Sequence, residues 1–213
     1  MYKRQRVYRG LQLQLVVYMD AAMEMLRGQH PKKEILPGGI LYYHIDDPVL
    51  ESDTPLSEEE AEQALLFALR PDGLVNSGEE IYRAMDQNFE GKSQMIPVEI
   101  KKNGEISTAR SKVASTEEFA VITRYVEHEI RQCGEAIYAG NIAVNPYRSD
   151  IETSCTYCPY ASVCGMDAKI PGYEYRQFAS MKKEEVLDQM QTELARNRGK
   201  EERSDEMDAV SYT

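Results

Sequence analysis

Three closely spaced cysteines carry the most specific chemical signal in this chain. Cys155, Cys158 and Cys164 occur in "CTYCPYASVC", a C-x2-C-x5-C spacing. Thiolates two residues apart can bind one metal through a tight turn, and a third can return to it on a short loop. Zinc sites and iron–sulfur clusters usually take four protein ligands, so the spacing predicts a metal site but does not identify the fourth ligand or the metal.

The remaining cysteine, Cys133, is the local candidate for that fourth ligand. It lies late in a predicted amphipathic helix beside Gly134, with His128 as the neighbouring residue of a ligand type. A single helical cysteine more often packs as a small apolar residue. Four cysteines without a secretory apolar segment indicate a reducing compartment, where clustered cysteines more often bind metal than form disulfides. We therefore expect a cytoplasmic protein.

Gln14 and Tyr18 form a second candidate pair, in the pattern Q-x-x-x-Y. Residues four apart project from one face of a helix, about one turn from each other. Without further context, the same pattern describes a polar residue and a tyrosine on a half-buried helix.

The composition limits the classes of partner. A net charge of −11 and a pI near 4.9 argue against a surface that binds phosphates as a whole. A small basic patch is still predicted around a hairpin, formed by Lys101, Lys102, Arg110 and Lys112. An ordinary solvated hairpin is the simpler interpretation of these residues.

The secondary-structure elements that would position these residues are predicted from hydrophobic patterns, helix caps and turn residues. Capping boxes at Ser57 and Ser115 predict helices running to about residue 70 and to near Gly140. The other predictions are a buried helix over 7–26, a strand over 38–46, a turn at "PDGL", a short helix over 78–85, a hairpin at Asn103-Gly104, and a polar helix and solvated tail over 177–209.

Several segments in register resemble one family. "GLQLQLVVYMDA", "PGGILYYHIDDP", "RAMDQ", "RSKVAS", "GNIAVNPYR" and the cysteine segment are similar, in this order, to the C-terminal end of the AddB-type subunits of ATP-dependent helicase/deoxyribonucleases. The resemblance implies an α/β fold, namely the C-terminal part of a RecB-like PD-(D/E)XK nuclease domain. It would have a mixed sheet, flanking helices and a cysteine-rich iron–sulfur segment.

The resemblance also implies cofactors and partners. In the family, Cys155, Cys158 and Cys164 would be the last three ligands of a [4Fe–4S] cluster whose first ligand lies far upstream. Gln14 and Tyr18 would border the nuclease site in a supporting role. The Mg²⁺-binding carboxylates and the Asp–Tyr–Lys element of the family do not occur before Gln14. The implied partners are an AddA-type helicase–nuclease subunit and double- and single-stranded DNA, without a membrane.

Both ends of the chain resemble the translation of a sequencing-adaptor DNA. "MYKRQ" and "VSYT" can be encoded by the two strands of a transposon end used in sequencing libraries. We therefore expect an internal slice of a longer protein, inactive as a nuclease by itself. The expected organisation is adaptor over 1–5, truncated nuclease domain over 6–150, iron–sulfur segment over 151–176, polar helix and tail over 177–209, and adaptor over 210–213.

Two alternatives explain the cysteines differently. One is a stand-alone, CRISPR-associated iron–sulfur nuclease, which should lack the long insertion over 38–114. The other is a zinc-stapled DNA-binding or assembly module without nuclease activity, for which Cys133 would matter. The pair Asp46–Asp47 is expected to form a turn before Pro48, and His44 is expected to be a packed histidine, neither of them a metal ligand.

Overall fold

The computed structural model describes residues 3–45, 47–52, 54–87, 89–150 and 152–210, with the side chains of residues 4–197 in those ranges. The elements are α1 (Lys3–Tyr8), α2 (Gln14–Gln29), β1 (Gly39–Tyr42), α3 (Glu58–Ala68), β2 (Asp72–Asn76), α4 (Glu79–Met85), β3 (Val113–Ala114), α5 (Thr116–Tyr138), β4 (Tyr147–Ser149), α6 (Ala161–Cys164), β5 (Arg176–Phe178) and α7 (Lys183–Val210). This mixture of helices and small sheets confirms the predicted α/β class.

The chain divides into two compact units. Met1–Leu11 and Tyr125–Thr213 form the first unit, and Gln12–Arg124 forms the second. Helix α5 contributes residues to both. Among the predicted features, Asp46 and the end residues 1–2 and 211–213 lie outside the described residues.

The second unit is built on a three-stranded sheet. Strand β1 pairs antiparallel with β2, and β2 pairs parallel with β3. The side chain of Asn76, at the end of β2, is buried and bonds to Pro37 O (2.8 Å), Thr116 Oγ1 (3.0 Å) and the N–H of Gly78 (2.9 Å). One cluster of buried apolar residues in this unit contains Val75, Tyr82, Phe89, Ile96, Val98, Ile100 and Val113.

The first unit packs α1 and α7 around the later part of α5, with a two-stranded parallel sheet of β4 and β5. Val126 and Met190 are buried, and the ring of Tyr147 stacks on Phe178 with 5.1 Å between centroids. The predicted solvated tail is helical in the structure, because α7 continues without a break to Val210.

The capping boxes are confirmed. Ser57 Oγ accepts the N–H of Glu60, whose carboxylate accepts the N–H of Ser57 at 2.9 Å. Ser115 and Glu118 make the same reciprocal pair at the start of α5. These caps satisfy amide groups that the first turn of a helix cannot bond internally.

The predicted buried helix over 7–26 is wrong in two respects. The helix is interrupted, since α1 ends at Tyr8, Gly10 has a φ of 75° and α2 begins at Gln14. A positive φ suits glycine because it has no Cβ. Helix α2 is also largely exposed, with Val16 as its buried residue.

The "PDGL" turn is wrong as well, since Asp72 and Gly73 open strand β2. A Cβ at Gly73 would overlap the carbonyl oxygen of Ile40, so this glycine permits the close approach of β1 rather than a turn. The predicted strand over 38–46 is shorter, Gly39–Tyr42. The hairpin at Asn103-Gly104 is present as an antiparallel bridge between Ile100 and Ile106.

Candidate functional site

Helix α2 presents the Q-x-x-x-Y pair on its exposed face. Gln14 Nε2 donates a hydrogen bond of 2.7 Å to the hydroxyl oxygen of Tyr18. Tyr18 is 59% exposed, whereas Val16 on the same helix is 1% exposed and anchors it. The structure therefore brings together the two residues that the pattern predicts.

This pair retains hydrogen-bonding capacity after its internal contact. Gln14 keeps its amide oxygen and one N–H, and the Tyr18 hydroxyl keeps its own proton. Two neighbouring polar groups that can still donate, on an exposed helical face, can contact a phosphate oxygen or a water molecule. They supply neither a carboxylate nor a nucleophile.

The three cysteines of the segment are less exposed than the residues around them. Over residues 154–165, the three half-buried residues are Cys155, Cys158 and Cys164, and every other residue is exposed. Tyr157 is 95% exposed and Tyr160 is 70% exposed. These aromatic side chains therefore lie in solvent, whereas the three cysteines are partly covered by the rest of the chain.

Short turns fix the spacing of these thiols. The N–H of Cys158 bonds to Cys155 O at 3.3 Å, and the N–H of Cys164 bonds to Tyr160 O at 2.8 Å within α6. Gly165 ends α6 with a φ of 63°. The backbone thus turns tightly between the first two cysteines and again before the third.

The donor types fit an iron–sulfur cluster or zinc, because all four cysteines carry free thiols. Cys133 is exposed on α5. Within the described ranges, no three Cys, His, Asp or Glu side chains are grouped so that they could hold a metal ion. The cysteine segment therefore supplies suitable ligands without completing a site.

A tyrosine next to this segment was missed by sequence reasoning. The side chain of Cys155, as a hydrogen-bond acceptor, and then burial raise the pKa of Tyr175. The guanidinium of Arg148 lies 4.3 Å from the centre of the Tyr175 ring. No spacing rule links residues 148, 155 and 175, so only the fold could identify them.

The other candidates are not assembled into a site. His44 is exposed, which corrects the prediction of a packed histidine, and Asp47 is exposed too. The predicted basic patch is largely neutralised by ion pairs, which join Lys101 to Glu105 (3.7 Å), Arg110 to Glu99 (2.8 Å) and Lys112 to Asp72 (2.5 Å). Paired lysines and arginines have less charge to offer a phosphate.

A tyrosine–glutamate cluster joins three helices of the first unit. Glu193 on α7 accepts hydrogen bonds from Tyr8 (2.7 Å) and Tyr125 (3.2 Å). Burial, and then the bond to Glu193, raises the pKa of Tyr8 to about 12. Burial also raises the pKa values of Tyr125 and Glu129, for Glu129 with an added contribution from the nearby Glu193 charge.

Comparison with known proteins gives consistent matches. The sequence model of the PD-(D/E)XK nuclease superfamily matches residues 1–165. The B-type subunit of the ATP-dependent helicase/deoxyribonuclease of Thermoanaerobacter sp. (strain X514) is 38% identical over 192 residues, covering 90% of this chain and 16% of the relative. The protein of the same name from Lachnoclostridium phytofermentans is 40% identical over 189 residues, covering 84% of this chain and 16% of the relative.

A third relative of that name, from Clostridium botulinum (strain Hall), is 38% identical over 193 residues, covering 91% of this chain and 17% of the relative. The chain thus spans about a sixth of the length of the curated relatives it matches. No described helix is both long enough and apolar enough to cross a membrane.

Proposed function

We propose that this chain, which belongs to the PD-(D/E)XK nuclease superfamily, is the C-terminal nuclease portion of the B-type subunit of an ATP-dependent helicase/deoxyribonuclease. Its similarity to proteins of that name carries the proposal. The parent protein would act in the cytoplasm with an AddA-type subunit, which hydrolyses ATP. Together they would unwind and degrade DNA ends during double-strand-break repair by homologous recombination.

In this function the exposed Gln14–Tyr18 pair contacts the DNA backbone. The pair holds a phosphate oxygen near the reacting bond, and the buried Val16 keeps its helix in place. The carboxylates that would hold Mg²⁺ belong to another part of the parent domain, and the metal would supply charge stabilisation of the attacking and leaving oxygens there. Because those carboxylates and the Asp–Tyr–Lys element are absent before Gln14, residues 6–209 alone are not expected to cut DNA.

The three cysteines serve as part of a staple. Each of them is half-buried within an otherwise exposed stretch, which supports their assignment as ligands of a [4Fe–4S] cluster whose fourth ligand would be an upstream cysteine of the parent. A cluster held by these cysteines would cross-link two distant parts of one polypeptide and so close a long loop. Completion of the site by zinc and Cys133 is the alternative, and it belongs to a DNA-binding or assembly module without nuclease activity.

The test uses the parent complex carrying Gln14→Ala or Tyr18→Phe. We expect DNA-end degradation with Mg²⁺ to fall about 10- to 100-fold, as for the loss of a positioning contact. ATP-dependent unwinding of the same duplex should be unchanged, since ATP hydrolysis resides elsewhere. Tyr43→Phe is the matched control, because Tyr43 is a 60% exposed tyrosine outside the motif.

Two results would contradict the proposal. A wild-type complex that unwinds DNA but never degrades it would favour the module without nuclease activity. Equal nuclease rates for the wild type and both motif variants would remove Gln14 and Tyr18 from the nuclease site.

A further inference from the structure

The small sheet of the first unit has one covered face and one open face. Strand β4 lies in its middle, because β5 pairs with it on one edge and Thr153, on the returning chain, bridges Arg148 on the other. Successive residues of a strand alternate between the two faces, and residues directly opposite each other share a face. Tyr147 and Phe178 therefore lie on the covered face, where Phe178 is buried and the two rings stack.

The open face carries Arg148, Thr153 and Gln177. Thr153 and Gln177 are the cross-strand neighbours of Arg148, one on each side, so the three residues form a row across the sheet. Arg148 and Gln177 are exposed, and Thr153 is half-buried. A guanidinium, a hydroxyl and a side-chain amide can all donate hydrogen bonds. The row therefore presents three kinds of donor to one ligand.

Arg148 is held in place without being neutralised. Its guanidinium lies 4.3 Å from the centre of the Tyr175 ring, a cation–π contact that orients the group and keeps its charge. Among the side chains that the structure describes, no carboxylate forms an ion pair with Arg148, and Glu152 in the turn after β4 pairs with Arg6 instead (3.0 Å). In a chain with a net charge of −11, this exposed guanidinium is available to an anion.

An exposed tyrosine lies next to this row. The hydroxyl oxygens of Thr153 and Thr156 are 3.3 Å apart, and the N–H of Thr156 bonds to Thr153 O at 3.2 Å. The chain thus turns at the Thr153 edge of the open face. Tyr157, the next residue, is 95% exposed. An exposed aromatic ring beside donors that can bind phosphate gives an unpaired base a surface on which to stack.

We propose that the open face binds single-stranded DNA, with Arg148, Thr153 and Gln177 contacting phosphates and Tyr157 stacking on a base. This inference rests on the proposed function for the nature of the ligand, and it adds a contact surface in the first unit to the motif pair in the second. A single strand fits this surface because the bases of a duplex are stacked on each other and do not reach an outside ring. Contacts to phosphates and base faces do not depend on base sequence.

The test measures binding of a fluorescent oligothymidylate to the parent B-type protein, without Mg²⁺ so that no DNA is cut. Fluorescence anisotropy is recorded at several salt concentrations. Arg148→Gln is expected to weaken binding about 3- to 10-fold, through loss of one bond to a charged group. It should also lower the slope of log affinity against log salt by about 0.7, the share of one phosphate contact with a single strand. Arg148→Lys should keep the wild-type slope, because it keeps the charge.

The tyrosine is tested separately from the charge. Tyr157→Ala should weaken binding roughly 5-fold or more with an unchanged salt slope, because stacking releases no counterion. Tyr157→Phe keeps the ring and should bind like the wild type. Arg176→Gln is the matched control for loss of charge, since Arg176 is an exposed arginine on the other face of the same sheet, and it should keep the wild-type slope.

The outcomes separate this inference from the proposed function. Wild-type affinity and slope in both Arg148→Gln and Tyr157→Ala would overturn the binding face, while the nuclease proposal depends on the Gln14 and Tyr18 variants. Equal losses for a blunt hairpin duplex and the oligothymidylate in Arg148→Gln, with no effect of Tyr157→Ala, would overturn the assignment to single strands. A wild-type parent that binds neither DNA would overturn both proposals.

Discussion

The four cysteines differ in how the folded chain covers them. Cys155, Cys158 and Cys164 are half-buried within an otherwise exposed stretch, whereas Cys133 is exposed on α5. A ligand site needs thiols on a common side, partly shielded from solvent. The burial of the individual residues therefore supports Cys155, Cys158 and Cys164 as metal ligands and gives no support to Cys133 as a ligand.

Substitution of single cysteines tests this difference. In the anaerobically purified parent, Cys158→Ser should abolish most of the iron content, because a serine hydroxyl is a poor ligand for an iron–sulfur cluster. Cys133→Ser should keep the wild-type iron content. Iron, zinc and sulfide are measured by elemental analysis and by absorbance. If the wild type instead contains zinc and Cys133→Ser loses it, the protein is the zinc-stapled module.

At the scale of elements, helices α1, α5 and α7 are joined by the tyrosine–glutamate cluster. Tyr8 and Tyr125 both donate to Glu193, and the Tyr125 hydroxyl also bonds to Tyr8 O at 3.0 Å. Hydrogen bonds to a carboxylate are stronger than those between neutral groups. The C-terminal helix is therefore held by directed hydrogen bonds as well as by its buried residues Val186, Leu187 and Met190.

Tyr8→Phe is expected to lower the free energy of unfolding by roughly 1–2 kcal/mol at neutral pH, because it removes a partly buried bond to a charged acceptor. The pKa of Tyr8 is raised from 10.0 to about 12 in the folded chain. The stabilisation of the folded state by the protonated Tyr8 hydroxyl is therefore complete below pH 10. Because Tyr8 ionises at a lower pH in the unfolded state than in the folded state, this stabilisation is lost as the pH rises from 10 to about 12.

Urea denaturation of the chain at several pH values measures this contribution. Tyr8→Phe should lose less stability than the wild type between pH 10 and 12, and the exposed control Tyr43→Phe should follow the wild type. Parallel curves for Tyr8→Phe and the wild type would show that the Tyr8 hydroxyl does not stabilise the folded state.

At the scale of the whole molecule, the chain leaves much apolar surface exposed. Ile137 is 77% exposed, Tyr138 is 96% exposed and Ile142 is 93% exposed, all at or just after the end of α5. Several exposed apolar side chains this close in sequence often mark an interaction region. The chain spans about a sixth of the length of its relatives, so in a full-length protein of that kind other regions are available to cover this surface.

We expect the double variant Ile137→Lys/Ile142→Lys to reduce self-association of the isolated chain, since it removes exposed apolar area and adds charge. Sedimentation velocity at several concentrations measures the effect. Gln132→Lys, at an exposed position of the same helix, is the control for added charge alone. If the control reduces association as strongly as the double variant, charge rather than the apolar surface controls association.

The amino-acid sequence by itself determined the local features and the family. The capping boxes at Ser57 and Ser115 were predictable because the bonds of a cap join residues three apart. The Gln14–Tyr18 contact was predictable for the same reason, since one helical turn separates the two residues. The cysteine spacing and the segments in register indicated a nuclease relative, in agreement with the comparisons.

Only the tertiary structure decided the features that depend on distant residues. The sequence predicted a turn at Gly73, but this glycine permits the close approach of Ile40. That role depends on a strand more than thirty positions away. The exposure of α2 depends on which other parts of the folded chain pack against it. Helical periodicity in the sequence does not specify those packing partners. The ring of Tyr175 meets the guanidinium of Arg148 because β4 and β5 pair across the whole cysteine segment, and no local propensity specifies such a pairing.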